Sequence, residues 1–195
     1  MIKPFDFYFD FISPYSFLAH KEIKKIEKIN SIKIRYKPIL LGGLHNLHGI
    51  KAPAFIPAKA KHMIRDCKLI AEKNKNKFKF NSYFPIKSLN LMRGVLVAEE
   101  DNIKNYYIDN IFNTIWQDGL NMNDELIFQK ILKNLNINPK TFTLRSTSSL
   151  IKESLRKKTS EAYEKGIFGA PTFLSNNKIF WGQDRIEFAL KEASK

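Results

Sequence analysis

The chain has 195 residues, 44% of them hydrophobic, and a formal net charge of +14 at pH 7. That length suits one domain with a buried core, or one domain that carries a sizeable insertion. No apolar run approaches the roughly 20 residues that a membrane span needs, and the first residues lack the basic head and apolar body of a signal peptide. We therefore expect a cytoplasmic protein without a membrane partner.

The positive charge could indicate nucleic-acid binding, because a basic surface attracts phosphate whatever its sequence. The 33 lysines and arginines are spread over every segment, however, and no arginine-rich tract, zinc-finger spacing or base-stacking motif accompanies them. We interpret the charge as a solvated basic surface and expect no nucleic-acid partner. Attraction of an anionic small molecule remains compatible with it.

Cys67 is the one cysteine of the chain. An intramolecular disulfide and a two-cysteine redox centre are both excluded. Cys67 shares a predicted helical face with Met63 and Ile70, which favours a buried apolar role over a nucleophilic one.

The histidines do not suggest a metal site. His45 and His48 are three residues apart, but no third ligand follows at a suitable spacing, and His20 and His62 are single residues on predicted helices. No phosphate-binding glycine loop, serine-hydrolase motif or nucleotide fingerprint is present.

The chain begins with a predicted strand, helix and strand. Residues 5–12 alternate and then run apolar, which predicts a buried strand. Ser13 is placed to cap a helix that continues to about residue 30, and Pro14 suits its first position. Residues 32–39 alternate as a second strand, which Pro38 and the turn glycines Gly42-Gly43 end. Parallel pairing of these strands would need a right-handed crossover.

The middle of the chain, from about Gly42 to Gly166, has helical patterns and no convincing strand. Helices are predicted near 57–74, 88–100, 103–118, 124–135 and 146–165, with irregular connectors at 74–85 and 136–141. The strand pattern then returns. Residues 171–175 and 178–182 flank the turn Asn176-Asn177 as a hairpin, and a last helix begins at Asp184.

This order predicts an α/β protein with a thioredoxin-like fold and an inserted all-helical domain. Residues 1–41 and 167–195 would form the two halves of the thioredoxin-like domain, and residues 42–166 the insertion. A doubly wound sheet would need more strands than the middle offers.

Five segments in this order resemble 2-hydroxychromene-2-carboxylate isomerases and kappa-class glutathione transferases, within the DsbA-like thioredoxin superfamily. The resemblance spans nearly the whole chain. The segments are "FDFISPYSFLA" at 9–19, "PILLGGLHNLHG" with "PAFIPAKAKHM" at 38–63, "NLMRG" at 90–94, "FGAPTF" at 168–173 and "FWGQDRIE" at 180–187.

Redox members of this superfamily carry a C-P-x-C pair at the first helix corner, and Ser13 and Ser16 stand at the two cysteine places. A serine has no accessible thiolate, so disulfide exchange is lost. The resemblance implies instead that Ser13 is catalytic and holds the sulfur of bound glutathione as a thiolate, with Pro14 and Tyr15 beside the cofactor. From the pattern alone, Ser13 is a helix cap; the two roles are compatible.

The resemblance implies further glutathione-binding residues. Ala170 would offer its backbone to the cysteinyl unit before a cis Pro171. The γ-glutamyl end would meet the corner at the start of the last helix, and Lys59 would meet the glycyl carboxylate. The residues implied at that corner are Trp181, Gln183, Asp184 and Arg185.

Two departures concern the second substrate. The kappa-class pattern G-N-K-P-P appears as Gly49-Ile50-Lys51-Ala52-Pro53, so Ile50 replaces a side-chain amide. The segment after Phe84-Pro85 has Ile86-Lys87-Ser88 where the isomerases usually carry polar residues such as asparagine, and Lys87 could serve an anionic substrate.

The resemblance thus implies a glutathione-dependent cis–trans isomerase that acts on a small conjugated or aromatic carboxylate by reversible thiolate addition, and a homodimer. Two alternatives stay open. One is a kappa-like glutathione transferase or peroxidase, which would use the same thiol site. The other is a non-enzymatic thioredoxin-fold module that binds extended peptides at the Ala170-Pro171 edge.

Overall fold

The structure, a computed structural model, describes residues 2–30 and 32–195. Its strands are β1 (Asp6–Phe9), β2 (Arg35–Pro38), β3 (Thr172–Ser175) and β4 (Lys178–Trp181). Its helices are α1 (Pro14–Asn30), α2 (Leu41–His48), α3 (Pro57–Lys73), α4 (Leu89–Glu100), α5 (Lys104–Trp116), α6 (Glu125–Asn134), α7 (Pro139–Ser146), α8 (Ser149–Glu164) and α9 (Ile186–Ala193). Short 3₁₀ turns span Pro53–Phe55 and Gln183–Arg185.

The four strands form one mixed sheet in the order β2-β1-β3-β4. β1 runs parallel to β2, with Phe7 beside Tyr36, and antiparallel to β3, with Phe7 also beside Phe173. β3 and β4 form the hairpin that the sequence predicts. This βαβ–helices–ββα arrangement confirms the α/β, thioredoxin-like fold.

Alternation along β1 decides which side of the sheet is buried in the aromatic core. Phe5, Phe7 and Phe9 are almost completely buried, and the Phe7 and Phe9 rings stack with centroids 5.6 Å apart. The core continues into α5, because the Phe11 and Phe112 rings meet edge to face at 4.8 Å. Burial of such large apolar side chains is the main stabilising contribution to a fold of this size.

α5 is also fixed to the end of β1 by a polar contact. The indole N–H of Trp116 donates to the carbonyl oxygen of Phe11 at 2.9 Å, and both residues are buried. The predicted helical region therefore packs directly behind the chain segment that leads to Ser13. The domain boundaries at 41/42 and 166/167 stay a prediction.

The sequence missed two helices. Gly42 and Gly43, predicted as turn residues, lie inside α2, which ends where Gly49 adopts a left-handed conformation with φ of 65°. Residues 136–141, predicted as an irregular connector, contain the start of α7. Asn138 caps α7 through its side chain. Ser148 caps α8 in the same way, so the helix predicted at 146–165 begins later.

Among residues 2–30 and 32–195, no helix combines the length and apolar character that crossing a membrane requires.

Candidate active site

Ser13 lies at the corner between β1 and α1. Its N–H donates to the carbonyl oxygen of Asp10 at 3.1 Å, and its Oγ accepts a hydrogen bond from the Ser16 N–H at 3.1 Å. Pro14 is buried at the first helical position, where a missing N–H leaves no hydrogen bond unmade. The N-cap that the sequence predicts at Ser13 is thus confirmed.

The Ser13 hydroxyl also reaches across to the loop before β3. It donates to the carbonyl oxygen of Ala170 at 3.0 Å. The Ala170–Pro171 peptide is cis, as predicted. Thr172 Oγ1 donates to the Gly169 carbonyl at 2.7 Å and closes the same loop. The structure therefore brings the helix corner and the proline loop into direct contact.

Ser16, at the second cysteine place, differs sharply from Ser13. Its side chain is fully buried, and its Oγ has no hydrogen-bond partner within residues 2–30 and 32–195. Of the two serines, only Ser13 therefore has a hydroxyl engaged at the corner.

Asp10 is a buried carboxylate behind the corner that the sequence reading did not single out. Its oxygens accept hydrogen bonds from the N–H groups of Ile12 at 3.0 Å and Leu41 at 2.8 Å, and Ser88 adds a side-chain hydrogen bond. Burial raises the pKa of Asp10, while these three hydrogen bonds act to lower it. Asp10 thus joins the Ser13 loop to the starts of α2 and α4. In the sequence, Asp10 could have been noticed as an acidic residue at the end of an otherwise apolar strand.

Tyr15 connects the corner to α3. Its hydroxyl donates to Asp66 Oδ2 at 2.8 Å, and burial together with Asp66 raises the pKa of the phenol well above its usual value. Lys59 lies on the same helix seven residues before Asp66, which is about 10 Å along the axis. The Lys59 side chain is exposed. α3 therefore contacts the corner through Asp66 and carries the predicted Lys59 about two turns away, in solvent.

Cys67 is fully buried, as predicted. Burial is the main cause that raises the pKa of its thiol to about 12, so the sulfur is protonated at neutral pH. The side chain is a packing residue of α3.

The segment after β4 lies close to the proline loop. The Gly182 N–H donates to the Pro171 carbonyl at 3.0 Å, and the 3₁₀ turn Gln183–Arg185 contacts α1. Asp184 and Arg185 are exposed and pair with each other at 3.3 Å. This turn corrects one expectation, since the last helix begins at Ile186 and not at Asp184.

Trp181 forms an aromatic rim beside the same loop. Its side chain is 55% exposed, and its ring centroid lies 5.0 Å from that of Phe168. Ser13, Ala170 and Pro171 therefore lie together at the corner. Trp181 adjoins them, because the next residue, Gly182, hydrogen-bonds to Pro171.

Other features lie away from this corner. Two surface grooves, of about 470 and 420 Å³, contain neither Ser13 nor Ala170 in their walls. His48 contacts the Ile167 carbonyl oxygen at 2.9 Å, a structural role. Within the described ranges, 2–30 and 32–195, no three His, Cys, Asp or Glu side chains cluster as metal ligands would.

A family model for the DSBA-like thioredoxin domain matches residues 5–193. The chain belongs to this family. Among curated relatives, 2-hydroxychromene-2-carboxylate isomerase of Sphingobium xenophagum is 27% identical over 190 residues, 96% of each chain. Glutathione S-transferase kappa 1 of Caenorhabditis elegans is 26% identical and aligns with 93% of this chain and 86% of its own. The resemblance inferred from the five segments is confirmed.

Solved structures agree with the fold of this DSBA-like thioredoxin domain. A 2-hydroxychromene-2-carboxylate isomerase superposes with a TM-score of 0.87 at 25% identity, covering 97% of this chain and 93% of the other. The cytosolic disulfide reductase DsbM of Pseudomonas aeruginosa with GSH has a TM-score of 0.66 at 16% identity, covering 98% and 94%, and supports the fold alone. The isomerase and transferase relatives support an enzyme of isomerase or glutathione-transferase type.

Proposed function

We propose that the protein is a glutathione-dependent isomerase similar to 2-hydroxychromene-2-carboxylate isomerase. The observation that carries the proposal is the hydrogen bond between the Ser13 hydroxyl and the Ala170 carbonyl oxygen, because it puts the start of α1 against the edge of the cis-proline loop. The isomerase relatives, at 26–27% identity, supply the reaction type. Kappa-class relatives support glutathione as the cofactor.

The backbone at Ala170 fits a peptide-like ligand. Its carbonyl oxygen is within reach of the corner, and its N–H makes no backbone hydrogen bond with any residue of the described ranges. An extended cysteinyl unit could therefore pair with both groups. Pairing at the carbonyl would release the Ser13 hydroxyl to turn toward the ligand's sulfur.

Ser13 and the start of α1 would then stabilise a negative charge on that sulfur. The Tyr15 N–H, which makes no backbone hydrogen bond within the described ranges, and the helix dipole favour an anion at this position, and the released hydroxyl adds a hydrogen bond. These contacts favour the thiolate and so lower the pKa of the thiol. The buried Pro14 and the ring of Tyr15 would border the bound sulfur, and Tyr15 is held in place by Asp66.

The outer ends of the tripeptide would meet charged and aromatic side chains. Asp184 suits the γ-glutamyl ammonium and Arg185 its carboxylate, and their own contact is an exposed ion pair that is weak enough to exchange partners. Gln183 and the Trp181 ring would flank this end. The exposed Lys59 could reach the glycyl carboxylate, and the net charge of +14 would attract anionic ligands generally.

Bound glutathione would supply the thiolate that adds reversibly to a conjugated carbon of the substrate, which lets the neighbouring bond rotate before elimination returns both molecules. The residues of the corner contribute by position. Ser13 and the start of α1 would fix the sulfur, and the Ala170 backbone would fix the peptide, so the reacting atoms meet in one orientation.

Calorimetry of glutathione binding, together with the ultraviolet absorbance of a bound thiolate, tests this proposal. We expect saturable binding with a thiolate signal at pH 7, and isomerisation of a chromene carboxylate in a coupled assay. Turnover of a halogenated aromatic acceptor without isomerisation would favour a kappa-like transferase, which the kappa relatives support. Absent glutathione binding at millimolar concentration, with an extended peptide retained, would indicate a peptide-binding module.

The same resemblance leads us to propose a homodimer, which size-exclusion chromatography with light scattering would test. We also propose a cytoplasmic location, because the cytosol maintains a reduced glutathione pool.

A further inference from the structure

Arg93, on α4, carries a positive charge that the described part of the chain leaves without a carboxylate. Its Nε is buried and has no hydrogen-bond partner there, and its one side-chain hydrogen bond, from Nη1 to Asn90 Oδ1, is long at 3.3 Å. Burial lowers the pKa of the guanidinium, and no acidic group acts in the opposite direction. Partial burial of a guanidinium without full hydration or a carboxylate partner costs free energy of folding, and native structures rarely contain such a group.

The other arginines show that this state is unusual in the molecule. Four of the other five arginines have a side-chain nitrogen 3.3 Å or less from a carboxylate oxygen. The fifth, Arg65, is exposed on α3. Arg145 is the clearest contrast, since it binds Asp101 and Glu100 at 2.8 and 2.7 Å. The arginines with carboxylate partners are Arg35, Arg145, Arg156 and Arg185.

The start of α4 is attached to the corner that holds Ser13. Ser88, just before α4, hydrogen-bonds to Asp10, and the Phe11 N–H contacts Met92 Sδ at 3.4 Å. Arg93 follows Met92 directly and lies about 7 Å along the helix axis from Ser88. Phe11 is two residues from Ser13, which spans at most about 7 Å. The backbone of Arg93 therefore begins next to a residue that contacts the corner, and the arginine side chain is the longest cationic one that could extend from there.

The charges of the segment around Arg93 also favour an anionic ligand. Residues 81–98 contain Lys87 and Arg93 as their charged residues and no acid. Lys87 is exposed beside Ser88. The segment that leads into α4 therefore attracts an anionic group through two cations and has no carboxylate of its own to oppose them.

We propose that Arg93 binds the carboxylate of the second substrate and so selects substrates that carry one. The proposal rests on the proposed function in placing the reacting thiol at Ser13. The terminal nitrogens of Arg93 offer a planar pair of donors that matches a carboxylate, and the weak contact with Asn90 can be exchanged for it. The anionic end of the substrate would then lie at α4, and its conjugated carbon would face the corner.

Benzoate and benzamide are suitable probes, because they have similar shapes and differ in charge. We expect calorimetry or NMR titration of the full chain to show that benzoate binds at least about tenfold more tightly than benzamide, since hydrogen bonds to charged groups exceed neutral ones by that order. Arg93→Gln is expected to remove this preference. Arg93→Lys, which keeps the charge but not the planar fork, is expected to keep part of it.

Arg156→Gln is the matched control, because Arg156 lies exposed on α8 and pairs with Glu153. That variant is expected to keep the wild-type preference. Equal benzoate affinity in wild type and Arg93→Gln, or no preference for benzoate in wild type, would overturn the proposal. If Arg93→Gln fails to fold, Arg93→Lys decides in its place, and an undiminished preference in that variant would refute recognition by the guanidinium.

Glutathione calorimetry on the same samples separates this inference from the proposed function. Binding of glutathione by wild type and Arg93→Gln alike, with benzoate affinity lost in the variant, would support both. Arg93-dependent benzoate binding in a protein that ignores glutathione would support the anion site and contradict the proposed function. Glutathione binding without any effect of Arg93 on benzoate would contradict the anion site alone.

Discussion

The Ser13 hydroxyl and the Ala170 carbonyl oxygen lie 3.0 Å apart although the two residues are 157 positions apart in the chain. The same Oγ accepts the hydrogen bond that caps α1. One side chain therefore stabilises a helix start and touches the backbone edge at which we propose that glutathione binds. Removing its hydroxyl should affect both, and the two effects can be measured separately.

Ser13→Ala should remove the thiolate signal of bound glutathione while weakening its binding only a few-fold. The peptide contacts at Ala170 remain in this variant, whereas the hydroxyl that would stabilise the negative sulfur is absent. Loss of the cap should lower the free energy of unfolding by about 1 kcal/mol. Calorimetry, ultraviolet absorbance and urea unfolding measure the three quantities.

Ser16→Ala is the control for that experiment. The Ser16 hydroxyl is buried without a partner in the described residues, so its removal should leave stability unchanged or slightly higher. The thiolate signal should persist. Retention of the signal in Ser13→Ala, or its loss in Ser16→Ala, would show that Ser13 does not have the role proposed here.

Gly169→Ala should disturb the loop that carries Ala170. A Cβ at this glycine would lie 2.6 Å from the indole nitrogen of Trp181, so the ring or the loop must move. We expect a loss of about 1 kcal/mol in the free energy of unfolding, typical of overpacking, and weaker glutathione binding.

Gly42→Ala is the matched substitution at an open position. Nothing lies within 4 Å of a Cβ at Gly42, which is inside α2. Alanine should therefore stabilise the protein by about 0.5–1 kcal/mol without altering glutathione binding. Equal behaviour of the two alanine variants would contradict the close contact between Gly169 and Trp181.

Asp10→Asn should loosen the Ser13 corner. An amide has one acceptor oxygen where the carboxylate has two, so a donor among Ile12, Leu41 and Ser88 would lose its partner. Leaving a buried donor unsatisfied costs about 1–3 kcal/mol. Hydrogen exchange at the Leu41 amide, followed by NMR, should accelerate by more than the change in global stability explains.

Asp66→Asn is a suitable control for Asp10→Asn, because an amide oxygen can still accept the hydrogen bond from the Tyr15 hydroxyl. Exchange at Leu41 should be unchanged in that variant. If hydrogen exchange accelerates equally at all amides in Asp10→Asn, Asp10 stabilises the whole fold and not the Ser13 corner in particular.

The sequence predicted the parts of the fold that depend on local chemistry. The strand alternation before Ser13, the Ser13-Pro14 helix start and the Asn176-Asn177 turn all express preferences of neighbouring residues, and the structure has each of them. α2 was missed because Gly42-Gly43 ordinarily indicates a turn. The local signal there was overridden by packing, since Leu44 of this helix is fully buried.

The candidate site was only partly predictable, for a physical reason. Motifs named Ser13 and Ala170, but a contact across the whole chain depends on how the sheet brings two distant segments together. The importance of Asp10 and Arg93 depends on which partners surround each charge. Asp10 has three donors and Arg93 has no carboxylate among the described residues, and neither fact is encoded in neighbouring letters of the sequence.

His20 should make stability depend on pH. Its ring is buried, with Nδ1 2.7 Å from the Tyr36 hydroxyl and Nε2 2.9 Å from Asp109 Oδ1. A neutral ring suits this environment, because Nδ1 can accept from the phenol while Nε2 keeps its proton close to the carboxylate. Burial lowers the pKa of His20, and the opposing effect of Asp109 is smaller.

The direction of this pH dependence follows from the difference between the pKa of His20 in the folded protein and its pKa in the unfolded chain. In the unfolded chain the ring takes up a proton below about pH 6.5, whereas the folded protein keeps it neutral to lower pH. Stability should therefore fall as pH drops from about 7 toward the lowered pKa, by at most about 1.4 kcal/mol per pH unit from this group. Urea unfolding should show a flatter profile between pH 7 and 5 in His20→Gln, and an unaltered one in His62→Gln, whose histidine is exposed. Parallel profiles for wild type and His20→Gln would mean that the pKa of His20 is the same in the folded and unfolded states, contrary to the effect of its burial.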